Sequence, residues 1–215
     1  MKFRFFALAV PLLIAACSSV PTRYYTLMPS PEPHASQAAP APFQFQLISV
    51  QIPVQVDQPG LVIRQTTGQL VILDSERWSA PLADEFQDAL STQLEKQLGR
   101  PDLANMPKDP NLKLISIQVD VKRLDSIPGN QARVDVIWNL SQRDGSPPHR
   151  LLTCTTHIQQ TAGDDVADVV EAHQRIIAQL AKVIANSARQ WSSTAANQYP
   201  CSDNLAITPL RFYKG

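Results

Sequence analysis

Three consecutive runs between residues 115 and 158 alternate apolar with polar side chains, and turn-forming residues separate the runs. Because successive side chains of a β-strand point to opposite faces, a period of two gives each run one buried face. The positions that share this face are Ile115, Ile117, Val119 and Val121, then Ala132, Val134, Val136, Trp138 and Leu140, then Leu152, Cys154, Thr156 and Ile158. The pattern predicts an antiparallel meander, and no other feature constrains the fold as strongly.

Along the chain, one amphipathic helix is predicted before the meander and a second one after it. Leucine or phenylalanine recurs every four residues over residues 82–98, between a proline and a glycine that suit a helix start and a helix end. A second apolar stripe, with spacing i, i+3, i+4, i+7, runs over about residues 165–191. Two such helices cover one face of a sheet. The sequence therefore predicts a single two-layer α+β domain, with a mainly antiparallel sheet and both helices on one face.

The segment before the first helix is rich in β-prone residues. Apolar residues alternate with glutamine over residues 43–47, and the parity then switches over residues 48–52. Such a switch indicates either a strand that is covered on both faces or a strand with a β-bulge. Two short apolar runs, 61–65 and 69–73, flank Thr67-Gly68 and predict a hairpin. The predicted domain spans residues 43–191, and residues 192–215 form an irregular C-terminal tail.

The N-terminus has the character of an export signal. Lys2 and Arg4 precede an apolar run over residues 5–16, which at 12 residues is too short to cross a bilayer. A charged start, a short apolar stretch and small residues at its end indicate a secretory signal peptide over residues 1–16. The run ends in IAAC, which resembles the lipobox of bacterial lipoproteins, in which the cysteine is acylated and becomes the first residue. Cys17 is therefore the predicted lipidation site; the alternative is an ordinary signal peptide in which Cys17 is incidental.

A lipidated tether is predicted to follow the signal peptide over residues 17–42. Several acyl chains together anchor a protein stably. By resemblance to enterobacterial lipoproteins, in which aspartate after the cysteine favours the inner membrane, Ser18 indicates the outer membrane. Residues 29–42 contain five prolines and predict a linker. Tyr24 and Tyr25 lie in a short β-prone run, which either docks as an edge strand or belongs to the tether.

Two cysteines, Cys154 and Cys201, remain in the exported chain if Cys17 is acylated. In an oxidising compartment they either form a disulfide or stay as two unpaired thiols, with Cys154 a small buried residue. The spacing of cysteine and histidine matches no structural zinc site.

The charge balance argues against broad phosphate neutralisation. The chain has 19 basic and 19 acidic residues, and removal of Lys2 and Arg4 with the signal peptide leaves a small negative excess. Domains that bind nucleic acid through phosphates are usually strongly basic. No nucleic-acid partner is predicted.

No motif for catalysis, metal binding or cofactor binding is recognised in the sequence. Turns and helix boundaries account for the internal glycines, so no glycine-rich phosphate loop is predicted. His173 lies on the apolar stripe of the second helix, as either a core-edge histidine or a ligand. Asp164, Asp165 and Asp168 cluster at a helix start, where capping is the simpler explanation and an acid–base or metal role is the alternative. We predict no catalytic residue, no metal site and no cofactor.

Trp78, next to Arg77, precedes the first helix. An aromatic residue at such a place either packs back on the helix or lies at an interface, where tryptophan and arginine are enriched.

Several segments together resemble one protein family. They are the lipobox, then RYYTL at residues 23–27, VDQPGLVIR at residues 56–64 and ERWSAPL at residues 76–82. They resemble the PqiC/YmbA family of outer-membrane lipoproteins, which are auxiliary lipoprotein components of ABC-type MCE transport systems. The resemblance covers most of residues 1–191.

The resemblance implies a non-catalytic lipoprotein at the outer membrane that faces the periplasm and supports membrane integrity. Its implied partners are an MCE-domain protein, which forms a tunnel for lipids across the periplasm, an inner-membrane subunit of the same system, and further copies of the chain. The implied partner-binding surface lies near the turn from Asp57 through Pro59 to Arg64, or near Arg77 and Trp78. The alternatives are a periplasmic lipid-binding carrier and a regulator of cell-wall synthesis.

Overall fold

A computed structural model describes residues 21–30, 38–143, 150–193 and Cys201. The predicted signal peptide, the lipidation site Cys17 and the sorting residue Ser18 lie outside these ranges, as does most of the predicted tail. His173 lies in the described part.

The chain forms seven strands and two helices in the order β1–β4, α1, β5–β7, α2. Their bounds are β1 Arg23–Tyr25, β2 Gln44–Gln51, β3 Gly60–Arg64, β4 Leu70–Trp78, α1 Leu82–Leu98, β5 Leu114–Ile127, β6 Gln131–Arg143, β7 Arg150–Thr161 and α2 Val166–Ser193. The predicted α+β class is confirmed, and both helices lie within two residues of their predicted bounds.

The strands form two mixed sheets where one sheet was expected, and antiparallel pairs predominate as predicted. The larger sheet has the order β2-β5-β6-β7, and the smaller sheet has the order β1-β4-β3. The predicted meander β5-β6-β7 and the predicted hairpin β3-β4 are both antiparallel. However, β2 pairs with β5 in parallel, and β1 pairs with β4 in parallel. A parallel pair needs a long crossover, which the hairpin and α1 together supply between β2 and β5.

The helices pack together on one face of the larger sheet, where the alternating apolar side chains meet them. Trp138 on β6 and Trp191 on α2 are fully buried in this interior. The Trp138 indole Nε1–H donates to Thr156 Oγ1 over 2.9 Å, which satisfies the one polar atom that the ring brings into the core. The other face of the sheet is polar, with hydrogen bonds between neighbouring strands such as Thr153 Oγ1 to Asn139 Oδ1.

The strand β2 contains the irregularity that its parity switch indicated. Its register against β5 shifts between Leu47 and Ser49, and Ile48 is left exposed at the bulge. A bulge adds one residue to one strand and moves the following side chains to the opposite face.

Part of the predicted tether belongs to the folded body. The strand β1 includes Tyr24 and Tyr25, which the sequence left open, and Leu27 just after it is fully buried. The Glu85 carboxylate accepts a hydrogen bond from the Leu27 N–H over 2.9 Å and holds this segment at the start of α1. Farther along, the Ala41 N–H donates to the Leu98 carbonyl over 2.8 Å.

A disulfide joins Cys154 on β7 to Cys201, across a sequence separation of 47 residues. The bond fixes one point of the C-terminal segment against the larger sheet.

Candidate functional site

A cleft lies where the smaller sheet meets β5. It has a volume of about 270 Å³. Its lining comes from the loop after β2, from the hairpin β3-β4 and from β5, and comprises Pro53, Gln55, Val56, Arg64, Leu70, Lys122, Arg123, Leu124 and Asp125. Three of these side chains are cationic and one is a carboxylate.

A β-bulge in β5 brings two of the cations to the cleft. The register against β6 pairs Val121 with Val136 and then Arg123 with Asp135, so Lys122 has no partner residue on β6. In a regular strand, Lys122 and Arg123 would point to opposite faces. The extra residue breaks this alternation, and both side chains are exposed.

Asp125 ties the two sheets together at the floor of the cleft. Its side chain is 3% exposed, and it accepts from Arg64 Nε over 2.6 Å and from Arg123 Nε. Arg64 belongs to β3 of the smaller sheet, whereas Arg123 is on the same strand as Asp125. A buried carboxylate is costly without partners, and both guanidinium groups stabilise it. Of the two contacts, the one from Arg64 joins the hairpin to β5.

The loop from Pro53 to Gly60 forms one rim of the cleft. The N–H groups of Val56 and Asp57 both donate to the Pro53 carbonyl, over 3.0 and 3.1 Å, which closes a tight turn. Val56 is buried and anchors this turn, whereas Asp57 and Pro59 are exposed.

Gly60 permits a close approach of the loop to β4. A Cβ at this position would lie 2.7 Å from the Leu73 carbonyl oxygen, which is shorter than any ordinary contact. A hydrogen bond from the Trp78 N–H to the Pro59 carbonyl, over 3.0 Å, fixes the loop to β4 at a second point. The loop is therefore held in one conformation by its own backbone and by β4.

The predicted partner-binding residues separate into three places. Arg64 lines the cleft. Asp57, Pro59 and Arg77 are exposed at the opposite end of β3, where Gly60 pairs with Arg77. Trp78 is only 6% exposed and belongs to the core. Of the two interpretations of Trp78, packing therefore agrees with the structure.

Sequence reasoning missed Lys122, Arg123 and Asp125. Two adjacent cations at the end of an alternating run break the period of two, and this break was the available signal. The alternation predicts a strand as far as Lys122, and Pro128-Gly129 predicts a turn, so the residues between them receive no assignment.

A second buried carboxylate, Glu76 on β4, holds the N-terminal strand. Arg23 Nε donates to Glu76 Oε1 over 2.9 Å, at the position where β1 and β4 are in register. Burial alone would raise the pKa of Glu76, yet the Arg23 guanidinium and the Tyr25 hydroxyl outweigh it and the pKa lies below its usual range. The pairing secures β1 at the free edge of the smaller sheet.

His173 lies in the interior and not at the cleft. Its Nε2 is 2.9 Å from Ser126 Oγ, and burial lowers the pKa of His173 to about 4, against the opposing effect of the Asp125 charge. The imidazole is therefore neutral at physiological pH. The acidic cluster makes contacts typical of a helix start, such as the Asp165 N–H to Asp168 Oδ2 over 3.3 Å.

Within residues 21–30, 38–143, 150–193 and Cys201, no three histidine, cysteine, aspartate or glutamate side chains come close enough to hold a metal ion. No helix in the same ranges is both long enough and apolar enough to cross a membrane.

Comparison with known proteins agrees with this architecture. The family model of the ABC-type transport auxiliary lipoprotein component matches residues 25–185. No curated protein matches the chain significantly.

Two crystal structures share the fold. One is of an uncharacterized protein, with 18% identity and a TM-score of 0.61 over 79% of this chain and 99% of that one. The other is XCC0632 from Xanthomonas campestris, of the DUF330 family, with 18% identity and a TM-score of 0.56 over 80% of this chain and all of that one. At this identity the likeness concerns the fold alone.

Proposed function

The chain belongs to the family of ABC-type transport auxiliary lipoprotein components, and from this premise we propose a function for it. It is a non-catalytic subunit of an MCE-type lipid-transport system, which docks the periplasmic tunnel of that system at the outer membrane and thereby supports membrane integrity. The observation that carries the proposal is the extent of the family match, which runs from the end of β1 into α2 and so includes both sheets and most of both helices.

The anchor is the acylated Cys17, and Ser18 directs it to the outer membrane. The strand β1 begins at Arg23, only the sixth residue after Cys17. Because β1 is hydrogen-bonded to β4, the folded body is held close to the bilayer, whereas the proline-rich stretch lies after β1 and is not needed as a spacer.

The docking surface for the MCE-domain protein is the exposed patch of Asp57, Pro59 and Arg77, which we call the docking patch. The rigidity of the loop supports this choice of surface. The Pro53 turn, the buried Val56 and the backbone hydrogen bond at Pro59 hold the loop in place before a partner binds. A preorganised surface loses little conformational entropy on binding. Opposite charges at its two ends favour one orientation of the partner.

A role as a lipid carrier has less support. The interior between sheet and helices contains fully buried tryptophan and leucine side chains that pack against one another. The cleft, at about 270 Å³, is below the usual range of small-molecule sites, about 300–1,000 Å³, and its lining is charged. A diacyl lipid does not fit such a site, although a headgroup does.

Affinity purification from membranes tests this function. The full chain, with its own signal sequence and a C-terminal tag, is extracted beside a Cys17→Ala variant, and the co-purified proteins are identified by mass spectrometry. We expect an MCE-domain protein with the anchored chain and less of it with the variant. Recovery of cell-wall synthesis enzymes without an MCE-domain protein would contradict the proposal.

A further inference from the structure

We propose that the hairpin end of the smaller sheet faces the bilayer, and that the cationic cleft beside it binds the phosphate headgroups of anionic phospholipids at the membrane surface. This inference rests on the lipid anchoring included in the proposed function, and it adds an orientation and a ligand to it.

The direction of β1 gives the orientation. Because β1 is parallel to β4 and Arg23 is in register with Glu76, the first residue of β1 is the one nearest the Leu70 end of β4. Six residues span at most about 20 Å, so Cys17 lies within that distance of Arg23. The length of β4 from Glu76 back to Leu70 is also about 20 Å. The stretch between Cys17 and Arg23 is therefore long enough for the acyl anchor and the tip of the hairpin to meet the same bilayer surface.

The cleft opens at this end of the molecule. Arg64 and Leu70 pair with each other at the last rung of the hairpin, and both line the cleft. The loop beside them contributes Val54, which is 75% exposed between two lining residues, and β4 contributes the half-exposed Ile72. Exposed apolar side chains next to cations are typical of surfaces that rest on the headgroup region of a bilayer.

The charges of the cleft suit a phosphate group. Arg64, Lys122 and Arg123 line the cleft beside one buried carboxylate, Asp125, which accepts from the Nε of each arginine. Arg64 also donates from Nη1 to the Gly68 carbonyl over 3.4 Å. Lys122 also pairs with Asp120 at the surface, and both side chains are well exposed, so this contact is easily exchanged for another anion. The cleft volume of about 270 Å³ accommodates a headgroup without its acyl chains.

Vesicle flotation tests the proposal without the anchor. The mature chain from Ser18 is exported behind a signal peptide that is removed without acylation. It is mixed with vesicles of phosphatidylcholine alone or of phosphatidylcholine with phosphatidylglycerol. We expect binding to the anionic vesicles only, with a decrease at higher salt.

The test variant is Lys122→Gln with Arg123→Gln, and the matched control is Lys182→Gln with Arg175→Gln on α2. Both pairs remove two charges, and Arg175, like Arg123, has one carboxylate partner. We expect the test variant to lose about fivefold in vesicle affinity for each charge and the control to lose much less. Lys122→Gln alone, which leaves Asp125 with both arginines, should show the fivefold loss if the double variant is unstable.

Three results would overturn the inference: failure of the unanchored chain to float, equal flotation with both lipid compositions, or equal weakening of vesicle binding by the test and control variants. If the cleft instead binds an acidic segment of a partner protein, the test variant keeps its vesicle binding and loses partner recovery from membranes. A negative flotation result beside normal recovery of the MCE-domain protein rejects this inference and leaves the docking function intact.

Discussion

Arg64 Nε donates to Asp125 Oδ1 over 2.6 Å and thereby connects the two sheets at the floor of the cleft. Asp125 is almost fully buried, so the loss of either partner leaves a polar group without its hydrogen bond. Arg123 also donates to this carboxylate, so Asp125 keeps one charged partner when Arg64 is replaced, and less stability is lost.

We expect Arg64→Gln to lower the free energy of unfolding by about 2 kcal/mol, because it removes a hydrogen bond to a buried charged group. In an Asp125→Asn background the same substitution should cost less than half as much, because the charge to be neutralised is absent. Urea unfolding of the four proteins of this double-mutant cycle measures the coupling. Strictly additive effects would show that the two side chains do not act as a pair.

Trp78→Ala should destabilise the protein by about 3–5 kcal/mol, because it leaves a cavity where a nearly buried indole packs. Arg77→Ala, at the neighbouring exposed position, should stay within about 0.5 kcal/mol of the parent. Thermal and urea unfolding measure both. A stable Trp78→Ala variant with weakened partner recovery would favour the interface interpretation of this residue over packing.

Reduction of the Cys154–Cys201 disulfide should lower the free energy of unfolding by up to about 4 kcal/mol, because the bond closes a long loop in the unfolded chain. The urea midpoint is measured with and without reductant, for the parent and for Cys201→Ser. Reductant should shift the parent and leave the variant unchanged. Alkylation of two free thiols in the untreated exported protein would disprove the bond.

The buried His173 should make stability depend on pH. Its pKa is about 4 in the folded protein and about 6.5 in the unfolded chain, so between these values the unfolded chain binds more protons. Stability is complete above pH 6.5 and decreases as the pH falls towards 4, by about 2 kcal/mol between pH 7 and pH 5. His173→Gln should flatten this slope whatever its effect on absolute stability. Urea midpoints measured over this range provide the test, and equal slopes for both proteins would contradict it.

Much of the fold follows from hydrophobic periodicity. The stripe over residues 82–98 and the alternation over residues 115–158 predicted α1 and the meander, because both elements bury one face against the other. Periodicity assigns a face to each residue but not a partner to each strand. Neither the parallel pairing of β2 with β5 nor the separation into two sheets is therefore encoded in a local pattern.

The end of β4 shows a second limit. Residues 74–77 are polar, and the predicted hairpin ends before them, at residue 73. In the structure they continue the strand, because Arg23 from β1 neutralises the buried Glu76. A distant partner thus allows a charged residue inside a strand, which a local pattern does not reveal.

The candidate site was predicted only in part. Arg64 was recognised from the family-like segment, and it lines the cleft. Lys122 and Arg123 reach the same cleft through a bulge, which depends on the register against β6. The charges that face one another across the cleft come from segments about 60 residues apart, so the tertiary structure was needed to bring them together.

The most direct test of the docking function is recovery of the MCE-domain protein by the anchored full chain with a charge-reversed docking patch. The variant Asp57→Lys with Arg77→Glu keeps the net charge and alters only exposed side chains, and the matched control is Glu171→Lys with Lys182→Glu on α2. We predict that parent and control recover the partner equally and that the patch variant recovers several-fold less, with unchanged thermal stability. Absence of an MCE-domain protein from the parent itself, or equal recovery by all three proteins, would contradict the account.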